Sequence, residues 1–308
     1  MGFIVKLYQK SFIQRFDKDG AIPYYSADDF VGLSCEEKTF QNSLGIEIHY
    51  FFYSYANAKT DKIVLLCPGI GPGHTGYLTE IELLCKNGYR VLTLDYTGCG
   101  ASAGESLLSI NEPTRDIIEL LSLLNLKEEI ILVGHSLGAY TSLNVIHLLP
   151  SITKAVIISG FVGISDELLG FLKLRCFANI AKRYEQKINP EYGSIDNWKY
   201  LKNTTDKLLF IHSIDDAVVH FKNNTRKVMK LNNPNLSFKI VEGKKHNPNY
   251  SSEALGKMNA WIGQYNTLIR QGDLNTPEER KRYFSDKPIG EMTEQDPEIW
   301  DLILNFIR

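Results

Sequence analysis

The segment Ile130-Ile131-Leu132-Val133-Gly134-His135-Ser136-Leu137-Gly138-Ala139-Tyr140 sets a serine between two glycines, after four apolar β-formers and before a helical stretch. A strand-to-helix junction of this spacing bends so tightly that side chains at 134 and 138 would strike neighbouring backbone. Glycine therefore stands at both, and Ser136 is held at the tip with its hydroxyl exposed. Attack on an acyl carbon is the chemistry that suits such a group. A hydroxyl is a poor nucleophile until a base takes its proton, so the pattern demands a histidine oriented by a carboxylate. On an elbow of this kind acid and base follow the serine in that order.

Two later segments satisfy that order. Phe210-Ile211-His212-Ser213-Ile214-Asp215-Asp216-Ala217-Val218-Val219 offers Asp215 and Asp216, and Glu242-Gly243-Lys244-Lys245-His246-Asn247-Pro248 offers His246. Each lies just past a strand C-terminus, where parallel α/β sheets gather their sites. Among the other histidines His220 is the serious rival, but four residues after Asp216 it would be tied to the acid's own loop. His49, His135, His147 and His212 read as surface or satisfied core positions, with His135 pointing away from Ser136. His74, in a glycine-rich loop, is expected at the site entrance.

The elements that must position these groups follow from hydrophobic patterning. Short β-rich runs recur at Ile63 to Cys67, Arg90 to Asp95, Ile130 to Gly134, Ala155 to Ser159, Lys207 to His212 and Ser237 to Glu242. Helical candidates alternate with them at Gly76 to Asn87, Pro113 to Leu124, Leu137 to Leu149, Phe221 to Leu231 and Ser251 to Tyr265, the signature of βαβ units and a buried parallel sheet. Cys35 to Gln41 and Ile46 to Ser54, around the turn at 42–45, add an antiparallel hairpin and bring the strands to eight. Residues 161–206 are too long for one crossover and predict a helical cap inserted after the sixth strand. Its Phe161, Leu168, Leu169, Phe171, Leu172 and Leu174 would either line an acyl pocket or dock the cap. Residues 1–33 are expected to pack on a core formed by 34–160 and 207–265. Residues 266–308 read as a helical C-terminal extension, with helix starts at Thr276-Pro277-Glu278-Glu279 and Asp296-Pro297-Glu298.

Together with Asp95-Tyr96-Thr97-Gly98-Cys99-Gly100-Ala101-Ser102 and the late Glu242-Gly243-x-x-His246, these motifs resemble the α/β-hydrolase superfamily. The likeness is closest to its bacterial serine-hydrolase branch, with monoacylglycerol-lipase-like, serine-aminopeptidase-like and cinnamoyl-esterase-like members, and it spans about 37–265. The resemblance implies an α/β-hydrolase fold and favours Asp216 over Asp215 as the acid, because Ala217-Val218-Val219 match the residues usual after it. Two backbone N–H groups should receive an oxyanion: Leu137, directly after the nucleophile, and Ile70, in the loop Cys67-Pro68-Gly69-Ile70-Gly71-Pro72-Gly73-His74. That loop departs from the family, whose usual His-Gly here reads Pro68-Gly69. The implied activity is hydrolysis of a small-molecule carboxylic ester through an acyl-enzyme, with acyl transfer, thioester or amide cleavage, or simple binding, as the alternatives.

Composition narrows the classes further. The 34 basic and 36 acidic residues nearly cancel, giving a formal charge of -2, so nothing favours nucleic acid or anionic lipid as partner. The glycines after Asp95 do not form a dinucleotide fingerprint, and five scattered cysteines suggest neither a metal site nor a disulfide framework. No cofactor and no metal are expected. With no apolar run long enough to span a bilayer, the reading is of a cytosolic protein.

Overall fold

The computed structural model describes residues 2–15, 21–56, 58, 61–172 and 175–308, with side chains described outside 169–175. Its centre is an eight-stranded sheet of β1 (Ser34–Gln41), β2 (Glu47–Ser54), β3 (Lys62–Cys67), β4 (Arg90–Leu94), β5 (Glu129–His135), β6 (Lys154–Ile158), β7 (Lys207–Ser213) and β8 (Leu236–Val241). The spatial order is β1-β2-β4-β3-β5-β6-β7-β8, antiparallel at β1/β2 and β2/β4 and parallel elsewhere. Each predicted strand is present within a residue or two. The central strands are apolar on both sides because both faces are covered, as parallel strands require.

The period-two alternation sorts the side chains between two cores. Ile63, Leu65, Cys67, Leu132, Ala155, Ile157, Leu208 and Phe210 face one side. Helices there are α1 (Gly2–Phe12), α3 (Glu112–Leu124), α4 (Leu137–Leu148), α5 (Ile164–Leu172), α6 (Arg175–Ile188), α7 (Asn197–Asn203) and α8 (Thr225–Val228). Val64, Leu66, Ile131, Val133, Val156, Ile158, Leu209 and Ile211 face the other, under α2 (Leu78–Lys86) and α12 (Pro297–Ile307). The remaining helices, α9 (Ser252–Gln271), α10 (Pro277–Phe284) and α11 (Ile289–Met292), lie between β8 and α12.

The division at residue 265 does not describe this arrangement. The helix begun at Ser251 runs to Gln271, and only Ala254 and Leu255 of it are buried. The last helix covers the sheet instead: Ile299, Trp300, Ile303, Leu304 and Ile307 form one apolar stripe within the second core. The C-terminal segment therefore completes a core layer. Its start is fixed by Asp296, whose side chain accepts from the Glu298 and Ile299 N–H groups, with Pro297 in the first turn.

The expected helix from Phe221 to Leu231 is broken. Asn224, fully buried at φ -115°, ψ -101°, accepts from Val162 N–H at 3.2 Å and donates to the His220 carbonyl at 3.3 Å, and α8 begins only after it. Three helices, α5 to α7, fill the interval between β6 and β7. Helix α1 lies against α6 through Tyr8, whose hydroxyl donates to Glu185 Oε1 at 2.6 Å, and Gln9, which donates to Tyr184 at 2.7 Å. Among the described residues the cysteines form no disulfide. Among the described residues no helix is long and apolar enough to cross a membrane.

If α12 is a core layer, Trp300→Ala should remove about 3–5 kcal/mol of stability. The indole is 2% exposed and donates to Gln295 Oε1 at 2.7 Å. Urea unfolding measures this; a loss below about 1 kcal/mol, typical of a surface change, would show that the helix is peripheral.

Candidate active site

Ser136 sits at φ 56°, ψ -117°, a backbone region that residues with a side chain rarely adopt. Its N–H donates to the Ile158 carbonyl at 2.9 Å, and its own carbonyl accepts from Ala139 and Tyr140 in the first turn of α4. The turn closes because its glycines lack side chains. A Cβ on Gly138 would overlap the Cys67 carbonyl, and one on Gly134 would come within 2.5 Å of Ser142 Oγ. Ser136 is half-buried, and its hydroxyl makes no hydrogen bond among the described residues.

The loop after β3 lies directly against this elbow. A Cβ on Gly69 would stand 3.3 Å from Ser136 Cβ. Within the loop the Gly69 N–H is already used, donating to the Tyr77 hydroxyl at 2.9 Å. The N–H groups of Ile70 and Leu137 bond to no other described residue, which leaves these two free to receive an oxygen.

Asp216, at the end of β7, is 4% exposed. Its Oδ1 accepts from the N–H groups of Val218 and Val219 at 2.8 and 2.9 Å, so the Val-Val pair after it supplies backbone donors. Oδ2 faces His246 Nδ1 at 2.9 Å and His212 Nε2 at 3.3 Å. Burial alone would raise this carboxyl, but the two imidazoles and their hydrogen bonds outweigh it and hold Asp216 well below the ordinary carboxylate range. An ionised Asp216 only accepts, so His246 carries its hydrogen on Nδ1 and keeps the Nε2 lone pair for a proton from elsewhere. His212 is fully buried and satisfied by Thr225 Oγ1 at 2.7 Å and the Val219 carbonyl at 2.8 Å.

Asp215 points elsewhere. It is exposed and accepts from Ser213 Oγ and from the N–H groups of Gly243 and Lys245, pinning the loop that carries His246. His220 bonds to neither aspartate, and its Nδ1 has no partner among the described residues. Glu167 of α5 is also near the acid; burial first, then Asp216 and Asp166, push it up to about 8, so it is neutral and does not compete for His246.

Three expected substrate contacts require correction. His74 is 6% exposed and stacks on Phe51 at 3.7 Å, and both its backbone N–H and Nδ1 meet Asp95 Oδ1, at 2.7 and 2.9 Å. It belongs to a buried hub, not to the entrance: Asp95 also accepts from Ala101 N–H and joins the loop after β3 to the loop after β4. Phe161 stacks on Tyr140 at 4.4 Å, and Leu168 is fully buried, so both are consumed in packing. The side chains of Phe171 and Leu172, like that of Leu169, lie outside the described residues, as does Leu174.

Sequence reasoning passed over His135. Its Nε2 lies 2.9 Å from the His246 carbonyl and its Nδ1 2.8 Å from the Tyr77 hydroxyl. A carbonyl can only accept, so Nε2 carries the hydrogen and Nδ1 accepts from Tyr77, which in turn accepts from Gly69 N–H. One directional chain thus ties the loop after β3, the elbow and the loop of His246. Burial, followed by the nearby His246, pushes His135 down to about 3, which keeps it neutral as this chain requires. Adjacency to Ser136 was the one available signal for His135; nothing in the spacing marked Tyr77. Tyr77→Phe strands both Gly69 N–H and His135 Nδ1, and each orphaned group should cost about 1–3 kcal/mol. We expect kcat to fall more than KM changes, His135→Ala to behave likewise, and His135→Gln, which can donate and accept, to recover part of the loss. Equal kinetics in all three variants would reduce the chain to packing.

The sequence of residues 58–208 matches the family described as serine aminopeptidase, S33. A putative chloroplastic methylesterase 15 of Arabidopsis thaliana is 32% identical over 105 residues, 33% of this chain and 23% of that protein. A norfluorocurarine synthase 1 of Strychnos is 30% identical over 107 residues, 34% of this chain and 40% of that protein. The chain thus spans less than half the length of these curated relatives. Among solved structures, the Pyrococcus furiosus esterase Pf2001 superposes with a TM-score of 0.57 at 16% identity, over 80% of this chain and 94% of that one. The Butyrivibrio proteoclasticus protein Est1E, solved with ferulic acid, gives 0.56 at 15% identity, over 72% and 95%. Sheet order, the serine elbow and these superpositions show the α/β-hydrolase fold, and the segment 58–208 is similar to the serine aminopeptidase family.

Proposed function

We propose that the protein is a cofactor-independent serine hydrolase that cleaves a small-molecule carboxylic ester, with Ser136, His246 and Asp216 as its triad. The observation that carries this reading is the 2.9 Å pairing of His246 with a buried, ionised Asp216, on a loop bonded to the residue before a strained serine. His246 Nε2 takes the Ser136 proton as Oγ attacks the ester carbonyl. Ile70 and Leu137 N–H groups receive the oxyanion, and the positive end of α4 adds to them. The tetrahedral intermediate collapses, and the alcohol leaves with the proton from His246. Water, deprotonated by the same imidazole, then releases the acid and restores Ser136. In the free enzyme the serine–histidine hydrogen bond is unmade, and substrate is expected to draw it together.

The esterases among the structural relatives support ester cleavage. Amide cleavage is the second reading, favoured by the serine aminopeptidase match, since both reactions use one apparatus. Cysteines that form no disulfide among the described residues fit a reducing, cytosolic setting.

Ser136→Ala should abolish covalent labelling by a fluorophosphonate and lower turnover of p-nitrophenyl acetate by roughly six orders of magnitude. Asp216→Asn should cost roughly four orders, while Asp215→Asn, which disturbs only the loop, should cost far less. Unchanged turnover in the serine variant, or a larger loss at 215 than at 216, would overturn the assignment. Parallel assays on aminoacyl amides decide between ester and amide.

A further inference from the structure

Beside the oxyanion loop, two acceptor groups are buried without partners. Glu80 of α2 is 3% exposed and Asn249, three residues after His246, is 4% exposed. The Asn249 amide donates both its hydrogens, to Glu80 Oε1 at 3.1 Å and to Gln295 Oε1 at 2.9 Å. Gln295 is itself fixed, because its Oε1 accepts from the Trp300 indole and its Nε2 donates to the Thr293 carbonyl. Flipping Asn249 would therefore face its oxygen with two oxygens, so its orientation is determined. Glu80 Oε2 and Asn249 Oδ1 are left with no hydrogen-bond partner, which buried polar atoms rarely tolerate.

Both residues line a cavity of about 200 Å³, together with Tyr24, Tyr77, Tyr250 and Ile70. The tyrosine hydroxyl at 77 is spent on His135, and Tyr250 stands against Glu80, its hydroxyl pushed well up by burial and by that carboxyl. The wall thus offers unpaired acceptors, one of them a carboxyl, and aromatic rings. A complementary occupant must bring N–H donors and, opposite a carboxylate, a positive charge; tyrosine faces favour a cation too. The volume admits only a small group. A second groove of about 460 Å³, between α2 and α11, carries opposite charges already paired, as in Lys86 with Glu82 and Lys257 with Glu291, and makes no such demand.

We propose that this cavity binds a protonated amine, whose N–H groups donate to Glu80 Oε2 and Asn249 Oδ1. Burial with no cation beside it pushes the Glu80 carboxyl up to about 7, and an ammonium there would draw it back to the ionised form. The cavity shares Ile70 with the oxyanion loop and His135 with the elbow, so an amine held in it lies one loop away from Ser136. The amine is then either part of the molecule being cleaved, which rests on the hydrolase reading above, or a separate small ligand.

Calorimetric titration of the Ser136→Ala protein with n-propylammonium and, at matched ionic strength, with n-propanol tests the site independently of turnover. The amine should bind at least about tenfold more tightly than the alcohol, and Glu80→Gln should weaken it by a similar factor. No amine binding, equal affinity for the alcohol, or unchanged affinity in a folded Glu80→Gln protein would overturn the proposal. The amine-against-alcohol comparison stands even if that variant does not fold. With Ser136 intact, alanine methyl ester carries the amine on the acyl half and 2-aminoethyl acetate carries it on the alcohol half. Competition by propylammonium against one of them identifies which half the cavity holds; competition against neither, with binding retained, identifies a free amine.

Discussion

The structure depends on one close approach. Helix α4 can start beneath the end of β3 only because Gly138 has no side chain to meet the Cys67 carbonyl, and the chain can leave β5 into that helix only if Ser136 accepts a positive φ. The cost of that conformation is met by the sheet, through the Ile158 carbonyl, and by the first turn of α4. Everything the proposed chemistry uses is then arranged relative to a serine that cannot relax away. The same approach brings the loop after β3 within contact of Ser136, so the serine and the Ile70 and Leu137 N–H groups are set by one packing event.

Loops, not strands, carry the remaining groups, and each is fastened by a polar residue spent on backbone. Asp95 holds the exits of two loops, Asp215 holds the histidine loop, and Asp216 uses one oxygen on Val218 and Val219 before offering the other to His246. The Gly69–Tyr77–His135–His246 chain links what those carboxylates fix separately. A site on loops needs this second layer of hydrogen bonds, because a displacement of about 1 Å at the reacting atoms costs orders of magnitude in rate.

Much of this was legible in the sequence where a local rule and the fold agree. The elbow follows from glycine spacing and strand patterning, and the strands follow from apolar runs with β-branched residues. The order serine, aspartate, histidine narrowed the site to a few residues. What was not legible depends on partners distant in sequence. His74 looked like an exposed loop residue because nothing near it signals Asp95, twenty-one positions later. Phe161 and Leu168 carried a pattern that serves a pocket or a packed helix equally. Helix α9 has regular helical character but buries only Ala254 and Leu255, whereas α12 buries a five-residue apolar stripe; that stripe signals docking, and the surface it docks on is set by the whole fold. Glu80 and Asn249, 169 residues apart, gave no sign that they would be buried together.

The central claim is that Ser136 Oγ, the Ile70 and Leu137 N–H groups and the Asp216-bound His246 converge on one reacting carbon. The most direct measurement is a crystal structure of the protein after reaction with diethyl p-nitrophenyl phosphate. The account predicts a diethylphosphoryl group on Ser136 Oγ, its phosphoryl oxygen within hydrogen-bond distance of both N–H groups, and His246 still paired with Asp216. An unmodified serine, or an adduct whose phosphoryl oxygen turns away from residues 70 and 137, would contradict it.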